Sequence, residues 1–151
     1  MSTLFLVLLI THVIFGMIGL MSSFITSFLL IKMKATRTKL LSYSFLAFFS
    51  YLVSWLAGGW YYWKYYGSVV KPIIVKGEYI WAHQVFMETK EHVFLFLPFA
   101  TLTLAVIILF KYTELKNDSS FKNHVLIFSL VITLIALFIT ISGILVSGGA
   151  Q

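Results

Sequence analysis

Cysteine is absent from all 151 residues. Disulfides, thiolate metal sites, iron–sulfur clusters and thiol redox catalysis are therefore excluded, and the compartment is left open. Charge is scarce as well. Only 11% of residues are charged, against about 25% in a soluble domain. A chain this poor in charge has no room for a separate soluble domain. What it has instead is apolar sequence, 60% of the residues, gathered into long uncharged runs. Each run is long enough to cross a hydrocarbon core of about 30 Å, so the expectation is a multi-pass integral membrane protein in a lipid bilayer. Lysine and arginine outnumber the acids 11 to 5. They cluster between the runs, as topogenic residues do, and no nucleic-acid partner is expected. The start lacks a basic n-region and a small-residue cleavage site. Its first run, residues 4–31, far exceeds a signal-peptide core of about 7–15 residues, so it reads as a retained helix.

Four runs cover residues 3–31, 40–66, 80–110 and 124–146. The connection at 32–39 is short and strongly basic. The second run ends in Tyr61-Tyr62-Trp63-Lys64-Tyr65-Tyr66, an aromatic belt suited to headgroup level. Gly67, Pro72 and Gly77 mark residues 67–79 as a loop, residues 111–122 as a polar connection, and Gly148-Gly149 as the close of the fourth run. Barrel strands would need about 9–11 residues of alternating polarity, and these runs are continuous and longer. Short connections between four helices imply antiparallel neighbours: one all-α, up-down-up-down four-helix bundle spanning residues 1–151. Seven basic residues flank the first and third connections and four flank the second. Both termini are therefore expected on the outer (periplasmic or extracellular) side.

Ionisable residues stand at the mouth of the third run, in Glu88-Thr89-Lys90-Glu91-His92. Such groups at a bilayer boundary are costly to desolvate and mark a functional site. His12 lies 20 residues before Lys32, and His92 lies 19 before Lys111. At 1.5 Å per residue, both sit about 28–30 Å from the basic boundary. Two histidines at one depth on different helices are what an axial haem pair needs. Gly58 and Gly59 lie at that level, with Gly143 in the fourth run and Gly16 a turn below His12. They would let helices, or a flat macrocycle, approach a backbone closely. On a straight α-helix Gln84, Glu88, Glu91, His92 and Leu95 share one side. His83 falls about half a turn away, as an interfacial or propionate-side residue. Pro98 should kink the helix near the site. His124, at the basic boundary, has only Met33 as a soft neighbour and reads as a lipid-headgroup residue.

Four helices with transmembrane histidines near glycines, Thr11-His12 to Gly16 and Trp81-Ala82-His83 to Glu91-His92, resemble the small four-helix membrane b-type cytochromes. The resemblance covers most of the chain. It implies haem b on His12 and His92, with His83, Gly58, Gly59 and Tyr62 around it, and electron transfer as the activity. Glu88 and Glu91 would orient an imidazole or accept a proton from a quinol. Tyr61, Tyr62, Tyr65, Lys64 and Lys90 would hold propionates or a quinone head group. Other membrane redox subunits or a second copy of the chain would be partners. The spaced histidine pair within one helix, usual in two-haem cytochromes b, is absent. Two other readings stay open. Glu88, Glu91 and His92, with His83 and His12, offer carboxylate and imidazole to a non-haem iron or copper ion. The familiar Glu-x-x-His pair is missing, however. Alternatively the chain is a non-catalytic subunit stabilising a larger membrane complex. Transport is disfavoured, because the second and fourth runs carry no ionisable residue at depth.

Overall fold

The computed structural model describes residues 2–32 and 35–148. They form four helices: α1 Thr3–Lys32, α2 Arg37–Lys76, α3 Ala82–Asn117 and α4 Ser119–Gly148. Each is long and apolar enough to cross a membrane. No strand occurs among the described residues. The helices pack as a ring, α1 on α2, α2 on α3, α3 on α4 and α4 back on α1. The contacts run in opposite directions along each pair. His12 meets Ser54 while Ser23 meets Tyr51, and Ser27 meets Ser129. Neighbours are therefore antiparallel, and the two ends of the chain lie at the same end of the bundle. We call this the terminal end. The other end carries the basic connection.

The bundle interior mixes apolar residues such as Leu40, Leu97, Ile108 and Ile132 with many small hydroxylated ones, and its exterior is large and apolar. Ser22, Ser23, Thr26 and Ser27 of α1, Ser44, Ser50 and Ser54 of α2, and Ser129 and Ser142 of α4 are buried. Phe24, Phe49, Leu56, Phe99, Phe110 and Ile144 point outward. Small side chains let backbones approach, and their hydroxyls bond back to the preceding turn. Thr26 donates to the Ser22 carbonyl at 2.9 Å, Ser44 to Leu40 at 2.8 Å and Thr101 to Leu97 at 2.7 Å. One cluster crosses between helices: Ser27 Oγ lies 2.8 Å from Ser129 Oγ and 3.1 Å from Thr133 Oγ1. It pins α1 to α4 in the half of the bundle away from the termini.

Helix ends follow from local chemistry. Thr36 caps α2, its hydroxyl accepting from the Lys39 N–H at 3.4 Å. Asp118 takes an extended conformation between α3 and α4. Its Oδ1 accepts from the Ser120 and Phe121 N–H groups at 2.8 and 3.2 Å, satisfying two orphan donors of α4. Pro98 cannot donate to the Phe94 carbonyl, and α3 breaks its α-helical pattern at Leu95, as expected.

Two boundaries differ from expectation. Residues 67–76 are helix, not loop. From Tyr62 to Val70 the chain winds as a π-helix and then returns to α over Lys71–Lys76. Pro72 sits in the first turn of that last piece, where its missing N–H costs least. Turn residues thus lie inside a helix that absorbs them by changing pitch, and the non-helical connection is residues 77–79. Residues 111–122 are also mostly helical. A single non-helical residue, Lys111 (φ −119°, ψ 21°), and Asp118 carry the whole change of direction. Met33 and Gly149 lie outside the described residues.

Candidate functional site at the terminal end

The site starts with His12 on α1 and the strip Ser54–Gly58 on α2. The His12 Nδ1–H donates to the Ser54 carbonyl at 2.8 Å, and the Ser54 hydroxyl lies 3.0 Å from the same nitrogen. The Ser54 hydroxyl donates in turn to the His12 carbonyl at 2.8 Å. A ring bonded at both sides of its own residue has one orientation and one tautomer: the proton is on Nδ1 and the lone pair on Nε2. Gly58 makes this possible. A Cβ there would overlap His12 Nδ1, so only glycine leaves the ring its place. Phe94 closes the ring's edge, 5.9 Å away at 79°.

The Nε2 lone pair faces Lys90 of α3. Lys90 Nζ lies 3.4 Å from it, and it also lies 3.3 Å from where a Cβ on Gly143 of α4 would be. The lysine therefore runs across the bundle over a glycine. It meets no carboxylate within ion-pair distance; among the described residues the one ion pair is Lys111–Glu114 at 2.7 Å. Glu91, next along α3, is half-buried, and its Oε1 is buried without a hydrogen-bond partner.

His83 stands further along α3. It is 3% exposed, and its Nδ1 lies 3.0 Å from the Tyr66 hydroxyl of α2. Its Nε2 is buried and unpartnered. The expectation that His83 turns away from the bundle interior is changed by the backbone. Ala82–Met87 is π-helical, so each turn there takes one more residue than an α-turn. The face count made on a straight α-helix slips, and His83 swings inward toward Tyr66. The aromatic belt divides for a related reason. Trp60 and Trp63 are exposed, with Lys64 Nζ 3.6 Å over the Trp63 ring. Tyr62 and Tyr66, four apart, stack inward with centroids 5.2 Å apart and planes at 22°.

These side chains surround a cavity of about 470 Å³. Its walls include Trp55, Gly58, Gly59, Tyr61, Tyr62 and Tyr66 of α2, His12 of α1, Lys90, Glu91 and Phe94 of α3, and Gly143 of α4. Much of the wall is apolar and aromatic. Polar capacity is concentrated at Lys90, His12 and Glu91; both His12 nitrogens have partners, whereas Glu91 Oε1 has none.

Of the residues singled out in the sequence, His12, Glu91, Lys90, Gly58, Gly59, Gly143, Tyr61 and Tyr62 come together at this cavity, and His83 backs it through Tyr66. Glu88 and His92 do not line it. Both are exposed, and His92 Nδ1 bonds to the Glu88 carbonyl at 2.7 Å on their own helix. His12 and His92 thus share a level but no common space. The one His12 nitrogen able to ligate is directed at the Lys90 ammonium. The pair does not fit the axial ligands of a haem, and we derive no step through one. Glu88, Glu91 and His92 also diverge. No group of three or more His, Cys, Asp or Glu side chains able to hold a metal occurs among the described residues. His124 is exposed at the far end, bonded to the Ser120 carbonyl at 2.8 Å.

Ser54, Trp55 and Tyr66 were not singled out from sequence. Ser54 stands four residues before Gly58 and Tyr66 four after Tyr62, so helical spacing alone carried both signals. Comparison with known proteins found no matching family model, no matching curated protein and no matching solved structure.

Proposed function

We propose that the chain is an integral membrane four-helix bundle whose terminal end faces outward and binds the head group of a lipid-soluble quinone. The orientation rests on the excess of lysine and arginine at the opposite end. Lys90 carries the ligand reading. A primary amine is held in an aromatic cavity with an imidazole nitrogen 3.4 Å away and no carboxylate within ion-pair distance. Such a donor is matched by an incoming acceptor, and a quinone carbonyl supplies one on a flat ring. Trp55, Tyr61, Tyr62 and Tyr66 supply flat walls. A volume of about 470 Å³ falls within the range of about 300–1,000 Å³ usual for small-molecule sites. Glu91 suits the reduced form. Its free Oε1 accepts the hydroxyl proton of a quinol, as Lys90 donates to the carbonyl of a quinone. Lys90 and Glu91 thus serve binding, one as hydrogen-bond donor to the quinone and the other as acceptor from the quinol.

The test uses the whole chain in lipid nanodiscs and duroquinone, a tail-less quinone. Binding is followed by quenching of tryptophan fluorescence, since Trp55 lines the cavity. A charge-assisted hydrogen bond contributes about 1.5–3 kcal/mol. Lys90→Met should therefore weaken binding about tenfold or more. Lys64→Met, whose ammonium lies over Trp63 outside the cavity, should leave it unchanged. Absence of saturable quenching in the unaltered chain, or equal binding by Lys90→Met, overturns the reading.

A further inference from the structure

A second cavity of about 520 Å³ continues from the first toward the middle of the bundle. The two share Leu9, His12, Lys90, Phe94, Gly143 and Ser147. The six shared residues are thus a waist at which the two spaces adjoin, with the Lys90–His12 contact among them. The character of the walls changes at this waist. Beyond it come Val13, Met17, Leu97, Ala136, Ile139 and Ile144, with only Tyr51, Ser54 and Thr140 offering hydroxyls. Ser54 and Thr140 already donate to backbone carbonyls, and Tyr51 lies 3.1 Å from Ser23. This second space therefore asks for nothing polar.

Its mouth lies between α1 and α4. Val13, Met17 and Ile144 on its rim are 53%, 44% and 67% exposed. The Ser27–Ser129–Thr133 cluster holds those two helices together in the other half of the bundle. No hydrogen bond joins them at the rim among the described residues. Gly16 and Gly143 thin the walls further. The result is a side opening between α1 and α4.

We propose that this opening admits the ligand laterally from the bilayer and that the second cavity holds the first isoprene units of its tail. The inference rests on the quinone reading and adds a route and a tail subsite to it. Adjacency commits the space to this occupant: a head group seated against Lys90 must send its tail past the shared wall or into water, and only one of those paths is apolar.

Tritiated quinones separate the two readings. The whole chain in nanodiscs is titrated with duroquinone and with a quinone bearing two isoprene units. A Val13→Trp/Ile144→Trp variant, altered only at exposed rim positions, is titrated in parallel. The tailed quinone should bind the unaltered chain at least tenfold more tightly than duroquinone. The variant should lose that advantage and change duroquinone binding by less than twofold. If duroquinone fails to bind the unaltered chain, the head-group reading fails. If duroquinone binds but the tail brings no gain, or the gain survives in the variant, the side opening and tail subsite are overturned. Should the double variant fail to fold, Ile144→Trp alone is read by the same criteria.

Discussion

Gly58 lies flush against the His12 imidazole, with no room between them for a methyl group. Its neighbour Gly59 faces open space, with nothing within 4 Å of a Cβ built there. Adjacent glycines thus have opposite reasons to exist. Gly58→Ala should displace the ring and destabilise the protein by about 1–3 kcal/mol, as overpacking does. Gly59→Ala should be neutral or stabilising by up to about 1 kcal/mol, because alanine is the better helix former. Thermal unfolding of the two variants in one detergent reads the difference directly.

His12 and His92 should separate cleanly under substitution. His12→Ala removes the partner that holds Lys90 across the bundle and should weaken duroquinone binding several-fold. His92→Ala removes an exposed ring bonded to its own helix and should change it by less than twofold. Equal losses in the two variants would mean that the histidines act as a pair.

The Tyr66–His83 pair carries its own signature. His83 Nε2 is buried without a partner, at a cost of about 1–3 kcal/mol. Removing one member orphans the other: Tyr66→Phe or His83→Phe alone should destabilise by about 1 kcal/mol or more. Removing both leaves two apolar rings of similar shape and should cost less than the sum. A double-mutant cycle on unfolding in urea or heat checks this coupling.

Much of this architecture was legible in the sequence, and the losses have one physical root. Four apolar runs, a polar cluster at the mouth of the third, and glycines at the depth of His12 all survive as the helices, the cavity and its close contacts. His12 and Gly58 were legible from depth along a helix, Glu91 from the charged cluster and Tyr62 from the aromatic belt. What failed was phase. His83 and the far end of α2 were placed by an α-helical period or by turn-forming residues, and both segments wind as π-helix. Hydrophobic pattern does not report a change of pitch within a helix. Depth also says nothing of rotation about the axis. His92 sits at the right level and faces out, and Lys90, two positions earlier, takes the place in the cavity.

Topology is testable because the chain has no cysteine of its own. Single cysteines at Gly77, between α2 and α3, and at Asn117, between α3 and α4, should label from opposite sides. In intact cells a membrane-impermeant maleimide should reach Gly77→Cys directly and Asn117→Cys only after permeabilisation. The reverse pattern would invert the bundle without changing its fold.

The π-helical stretch of α2 has a further consequence for how this protein can vary. A π-turn is an α-turn carrying one residue too many. Deleting a single residue between Tyr62 and Val70 would let the helix tighten and turn everything beyond it by about a quarter-turn or more. Tyr66 would rotate off its stack with Tyr62 and away from His83 without any change in composition. At this place the cavity is tuned by the count of residues rather than by their kind. A relative one residue shorter here could keep Tyr62, Tyr66 and His83 and still lose their meeting point.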